Sequence, residues 1–240
     1  MMFNPTAAIL IIGDEILSGR TRDSNMHYLS CELTKIGIDL QEARFIPDNA
    51  AKIIDDVRCL SSKYDYVFTS GGIGPTHDDI TADCIAAAFE TKISIREDAF
   101  KLLENYYSEQ NIDFNSARQR MARIPNGAKL IDNPISVAPG FYLNNVFVMA
   151  GVPNIFQSMV QSILPLLLNG KPVLSKSVQI PRGEGEIAVE LKKIASEHKS
   201  VSLGSYPYNN KGNFGTNIVV RGIDNEELDR VAEKLKSKLL

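Results

Sequence analysis

The residues with the clearest chemical potential lie between positions 66 and 81: Tyr-Val-Phe-Thr-Ser-Gly-Gly-Ile-Gly-Pro-Thr-His-Asp-Asp-Ile-Thr. Gly71, Gly72 and Gly74 leave no side chain between the backbone and a ligand and permit φ > 0. Ahead of them, Tyr66-Val67-Phe68 reads as the end of a buried strand; behind them, Asp79-Ile80-Thr81 leads into an apolar helical pattern over 82–89. Strand, glycine turn and helix N-terminus together aim main-chain N–H groups at one spot, which suits an anion. The loop is neither of the familiar nucleotide motifs. No Lys follows its last glycine, and its spacing is not that of the dinucleotide turn. Asp78 and Asp79 stand beside it and would repel a phosphate unless a divalent cation such as Mg²⁺ bridged them. The spacing fits equally well a simpler role in which Asp79 or Thr81 caps the helix.

Two more acidic sites follow predicted strands. The apolar run 7–12 ends at Gly13-Asp14-Glu15, and the more polar strand over 40–46 ends at Pro47-Asp48-Asn49. If these strands lie parallel and adjacent to the one before the glycines, all three sites meet in the crevice at the carboxyl ends of the strands. Gathered carboxylates hold a cation or act as a base. The segment 116–123 reads as a helix carrying Arg118, Arg120 and Arg123. A guanidinium contact to phosphate is one use for it; a solvated helix face is the simpler one. His77 reads as a polar loop residue, and His27 and His198 have no partners at metal-ligand spacing.

The elements that must position these groups alternate. Strand 7–12, helix 26–36 closed by Gly37, strand 40–46, helix 50–62, the strand before the glycines and the helix after them predict an α/β fold, with a mostly parallel sheet between two helical layers. Further helices are expected over 97–107 and 154–168, with a turn-rich loop over 133–141, a hairpin, and a buried strand over 146–150 between them. Asn169-Gly170-Lys171-Pro172 is a composition break, which divides the chain into domains 1–169 and 170–240. The second reads as a small α+β unit of order βαββα: strand 173–180, helix 184–198, strand 201–205, strand 216–222 and helix 226–239.

The 240 residues are 44% hydrophobic and 23% charged, enough apolar matter for a sizeable core. A net charge of −3 predicts no general affinity for nucleic acid. Cys31, Cys59 and Cys84 are too few and too scattered for a disulfide framework or a Cys-rich zinc site. Each falls in a helical pattern and is expected to be a small buried hydrophobe, which suits a reducing cytoplasm. The N-terminal apolar run is short and meets Asp14-Glu15, so neither a signal peptide nor a membrane span is expected.

The strings Gly13-Asp14-Glu15-Ile16-Leu17-Ser18-Gly19, Asp23-Ser24-Asn25, Thr69 through Thr81, and Ala138-Pro139-Gly140 resemble the molybdopterin-binding (MoaB/Mog) domain family. They look most like the version in the N-terminal part of CinA, the competence/damage-inducible protein; a similar domain is fused to some eukaryotic FAD synthases. The resemblance covers residues 7–168, and the small domain after it is also similar to that of CinA. It implies a three-layer α/β/α domain, cytoplasmic and homo-oligomeric (dimer or trimer), that binds a pterin or a nucleotide diphosphate at the glycine loop. It implies ligand contacts from Thr69, Ser70, Gly71, Gly72, Gly74, Pro75, Thr81, Pro139 and Gly140.

In Mog-type members the reaction joins AMP to molybdopterin with Mg²⁺, and the functional acids match Asp48 and Asp79. In CinA-type members the domain is associated with cleavage of ADP-ribose to AMP and ribose 5-phosphate. On either chemistry the glycine amides and Ser70 would hold a diphosphate, and Asp79 with Asp78 or Asp14 would hold the metal. Asp48 or Glu15 would orient water, which makes Asp48, Asp79 and Glu15 the catalytic candidates. A binding protein without turnover is the alternative from another class. Two departures stand out. The C-terminal nicotinamide-mononucleotide deamidase domain of CinA has no counterpart in this sequence, so deamidation is not expected. The usual Gly-Thr-Ala-Pro-Gly is here Ser136-Val137-Ala138-Pro139-Gly140, which removes a flexible turn and a hydroxyl and bears on ligand identity.

Overall fold

The run 7–12 is apolar throughout because both of its faces are covered. In the computed structural model, which describes residues 4–210 and 212–240, it forms strand β1 (Thr6–Ile12). Successive side chains of a strand point to opposite sides. Ala8, Leu10 and Ile12 accordingly enter one core cluster, and Ala7, Ile9 and Ile11 another.

The chain divides into two compact units, Met1–Gly170 and Lys171–Leu240. In the first, β1 is followed by the single turn α1 (Asp14–Leu17), α2 (Asn25–Lys35), β2 (Asp39–Ile46), α3 (Ala50–Lys63), β3 (Tyr66–Ser70) and α4 (Thr81–Ala88). Next come β4 (Ile93–Ile95), α5 (Glu97–Glu109), α6 (Ser116–Gln119), β5 (Arg123–Pro125) and β6 (Lys129–Ile131). The hairpin β7 (Gly140–Leu143) and β8 (Val146–Met149) leads into α7 (Pro153–Ile163).

The main sheet has the order β2-β1-β3-β8-β7-β6. The first four strands run parallel, and β7 is antiparallel to both of its neighbours. One face is covered by α3, α4 and α5 through Ile53, Val57, Leu60, Ile85 and Leu103. The other is covered by α2 and α7 through Leu29, Leu33, Phe156, Met159 and Ile163. This is the three-layer α/β/α arrangement expected. Because β2, β1 and β3 are adjacent and parallel, the loops after them leave the same edge of the sheet.

The second unit contains β9 (Leu174–Ile180), α8 (Glu184–Glu197), β10 (Ser202–Asn210), β11 (Asn213–Gly222) and α9 (Asn225–Leu239). Its antiparallel sheet has the order β10-β11-β9. Val178, Ile180, Ile218 and Val220 pack with Ile187, Ile194, Leu228, Val231 and Leu235 in a core of its own.

Two expectations are corrected. The segment 116–123 is not one helix. It makes the short α6, tightens into a 3₁₀ turn at Arg120–Ala122, and enters β5, where Arg123–Pro125 pairs antiparallel with β4. The pull toward this partner, some thirty residues away in sequence, overrides local helical propensity. Of the cysteines only Cys84 is buried; Cys31 and Cys59 lie on the exposed sides of α2 and α3. Desolvation pushes the Cys84 thiol up to about 11. Titration of the native protein with a thiol-specific reagent at neutral pH is therefore expected to modify two cysteines rapidly, and the third only on unfolding. Three fast-reacting thiols in the native state would contradict this packing of α4.

Candidate functional site

The turn after β3 runs through so little space that side chains do not fit. Gly71 has φ +110 and Gly72 φ +72, backbone angles that L-residues rarely adopt. A methyl group on Gly71 would strike the carbonyl oxygen of Ile12 at the end of β1, and one on Gly72 would strike Thr81 Oγ1. The turn is then tied to its own helix. The Thr81 hydroxyl donates to the Gly71 carbonyl at 3.0 Å, the Thr81 N–H donates to the Gly72 carbonyl at 3.0 Å, and the Gly71 N–H donates to Met149 O in the neighbouring strand. Asp79 closes the far end: its Oδ2 accepts from the Thr76 N–H at 2.8 Å and the Thr76 hydroxyl at 2.6 Å. Among the described residues, no acceptor takes the N–H groups of Gly72, Ile73 and Gly74. Gly72, Ile73 and Gly74 are partly exposed, so these three donors are open to a ligand or to solvent.

They border a cavity of about 520 Å³, within the size range of small-molecule sites. Its walls include Glu15, Asp48, Asp78 and Asp79, with Ile12, Ile73, Met121, Val152, Pro153 and Ile155 supplying apolar surface. Three strand-end loops thus bring acidic residues to one opening. Asp14 is exposed and joins through its main chain, its N–H donating to Asp48 Oδ2 at 3.0 Å. Desolvation raises the pKa of Asp48 above its ordinary value; the hydrogen bond from the Asp14 N–H works against the rise, and the nearby charges of Asp14, Glu15 and Asp78 add to it.

The other sequence candidates sort by burial. Gly71, Gly72, Gly74 and Pro75 line the cavity. Thr69 is wholly buried, Ser70 is 2% exposed, and Thr81 is wholly buried and spent on the Gly71 carbonyl. Ser70 Oγ accepts from the side-chain amide of Asn25, which also donates to Gly151 O, both at 2.8 Å. These three residues support the loop from beneath, and the Ser70 hydroxyl is engaged inside the protein. Pro139 and Gly140 are buried too; Gly140 begins β7, where a side chain would meet the Val148 carbonyl. His77 is almost fully exposed.

Sequence reasoning passed over Asn133 and Ser136, which line the cavity. Asn133 is 3% exposed and its amide braces the turn-rich loop, donating to Ser136 Oγ at 2.6 Å and Ala138 O at 2.8 Å. The hydroxyl of this turn is therefore present, on Ser136. Val137 sits at φ +63, a strained conformation for a β-branched residue, costing on the order of 1–3 kcal/mol. The only signal for Asn133 was the turn composition of Asn133-Pro134.

Among the described residues, no group of three or more His, Cys, Asp or Glu is arranged to hold a metal ion. Thr76 engages one oxygen of Asp79, Oδ2. Side chains alone therefore make no such site among the described residues; a divalent ion here would take one or two carboxylates together with phosphate oxygens of a ligand. Among the described residues, no helix is long and apolar enough to cross a membrane.

Comparison with known proteins agrees with the architecture. Residues 8–169 match the family described as "Probable molybdopterin binding domain", and residues 172–240 match "FAD synthase, middle domain". A protein of Archaeoglobus fulgidus is 32% identical over 199 residues, covering 83% of this chain and 84% of its own length. A "Probable FAD synthase" of Caenorhabditis elegans is 30% identical over 259 residues, 98% of this chain but 50% of the relative, so the chain spans half the length of that protein. The crystal structure of CinA from Thermoplasma acidophilum, described as of unknown function, superposes with a TM-score of 0.64 at 28% identity over 70% of this chain and all of that one. The chain belongs to the molybdopterin-binding (MoaB/Mog) domain family, in a CinA-like form followed by a segment similar to the middle domain of FAD synthase.

Proposed function

We propose that the protein binds a nucleotide or pterin bearing a diphosphate, and that it hydrolyses the phosphoanhydride of a nucleotide such as ADP-ribose. The observation that carries this reading is the set of three unpartnered N–H groups, on Gly72, Ile73 and Gly74, bordering a cavity whose other walls are both apolar and acidic. The N–H groups suit phosphate oxygens. The apolar surface from Ile12, Ile73, Val152 and Ile155 suits a flat heteroaromatic ring.

Asp48 is the best-placed base. Its raised pKa moves it toward the range in which a carboxylate accepts a proton usefully. In the proposed step, Asp48 takes a proton from water as the water oxygen attacks one phosphorus. The bridging P–O bond breaks, and its oxygen leaves with the other phosphate, giving AMP and ribose 5-phosphate. Glu15, whose carboxylate folds back over Gly13, lies in the same wall and would orient the water. Because the side chains do not assemble a metal site, no step is assigned to a metal; a divalent ion would enter only with the phosphates of the ligand. The engagement of Asp79 by Thr76 favours a second reading, in which the ligand is held without turnover.

Both readings are tested by calorimetry and product analysis with ADP-ribose and with molybdopterin, in Mg²⁺ and after chelation. The first expects AMP release by wild type and a loss of about a hundredfold or more in Asp48→Asn, the scale of a general base. Saturable binding without product selects the second reading, and absence of binding to either ligand contradicts both. Asp48 also predicts a stability effect. Its folded pKa lies above its unfolded one, so the native state holds the proton more tightly. The contribution favours folding below the unfolded carboxylate value of about 4 and is lost as pH rises through the folded value. Asp48→Asn, with no charge to desolvate, is expected to melt above wild type at pH 7, with the gap closing toward pH 4. An equal or lower melting temperature at pH 7 would contradict the crowded, desolvated setting of this carboxylate.

A further inference from the structure

The three arginines of the segment 116–123 end in different surroundings. Arg118 lies over the Tyr107 ring, 4.9 Å from its centroid, and donates to the Asp113 carbonyl. Arg123 is neutralised by Asp83, with contacts of 2.6 and 3.1 Å. Arg120 is half-buried and makes no ion pair among the described residues. Its one hydrogen bond there is from Nη2 to the main-chain carbonyl of Asp79, at 3.3 Å. That contact places the guanidinium at the glycine loop, where it lines a small cleft together with Gly72, Ile73, Gly74 and Asp79. The same four residues line the large cavity, so the loop is a wall common to both.

The Arg120 guanidinium shares this cleft with the side chains of Asp79 and Asp83, the latter already paired with Arg123, and forms an ion pair with neither; its planar fork matches phosphate oxygens. Beside it are the loop donors that lack acceptors. Across the loop, the carboxylates do not gather into a cation site. We infer that Arg120 is an anion-binding residue of the glycine loop, supplying the positive charge for a phosphate that bridging by a metal would otherwise have to supply. The inference rests on the reading of the loop as a phosphate cradle and deepens it: phosphate binding here does not depend on a divalent cation. Entry of the phosphate draws Arg120 off the Asp79 carbonyl, a long hydrogen bond that costs little to give up.

The test is calorimetric titration of inorganic pyrophosphate and of ADP-ribose into the full chain in the presence of EDTA, using wild type, R120Q, R120K and R118Q, with melting curves for each. Wild type is expected to bind pyrophosphate in EDTA. R120Q is expected to bind about tenfold or more weakly, the scale of one charge-assisted contact. R120K should recover part of the loss as a point charge without the fork, and R118Q should match wild type. R120Q and R120K should melt no lower than wild type, since a structural role for Arg120 would lower them. Pyrophosphate binding by R120Q and R120K equal to wild type overturns the inference, as does wild-type binding that vanishes in EDTA and returns with Mg²⁺. Wild type that binds pyrophosphate but not ADP-ribose upholds Arg120 while removing the dinucleotide from the proposed function. Wild type that binds neither overturns both.

Discussion

The close approach of the glycine turn to its surroundings is the constraint on which the rest of the site depends. Gly71 passes the end of β1, Gly72 passes Thr81, and Gly151 comes up against Gly71 from the neighbouring strand end. With no room for side chains, the turn can be fastened only by its main chain and by hydroxyls beneath it. Thr81 takes the Gly71 carbonyl, and Asn25 links Ser70 to Gly151. With the Gly71 and Gly72 carbonyls and the Ser70 and Thr81 hydroxyls used inside the protein, the N–H groups of Gly72 to Gly74 remain. The donors that the loop leaves open thus follow from how it is packed.

The same constraint reassigns the acids. A sequence that places Asp78 and Asp79 beside an N–H-rich turn invites a bridging metal. In the folded chain Asp79 is the clasp that holds Thr76 and closes the loop, while Asp48 is crowded by like charges from the loop after β1. Asp79 is tied to the backbone of its own loop while Asp48 is desolvated and crowded, although both open on one cavity at the same edge of the sheet. Positive charge arrives from a segment far away in the sequence, at Arg120.

Much of this was legible before the structure. The unbroken apolar run at β1 predicted a strand buried on both faces, because a parallel sheet between two helical layers has no polar side. The Pro-Asp-Asn and glycine signals fixed where the strands end, and adjacency of parallel strands brought those ends together. The sequence did not reveal β4, β5 and β6, each three residues long and too short to carry a period of two. It misread the segment 116–123 because Arg123–Pro125 pairs with β4 across a gap that no local pattern records. Spacing alone accordingly leaves Arg120 between a solvated helix face and a contact to phosphate. Ser70 and Thr81 looked like ligand hydroxyls, since residue type and spacing do not tell whether an oxygen points outward or is consumed within the fold. Cys31 and Cys59 were read as buried from helical context alone, although a helix has an outer face as well.

The central claim is that the unpartnered amides of this turn are what a ligand meets first. Amide chemical-shift mapping by ¹⁵N NMR during titration with pyrophosphate measures this directly. The account predicts that the resonances of Gly72, Ile73 and Gly74 move together and saturably, while those of β9 to β11 stay in place. Saturable binding that leaves those three amides unmoved would contradict it.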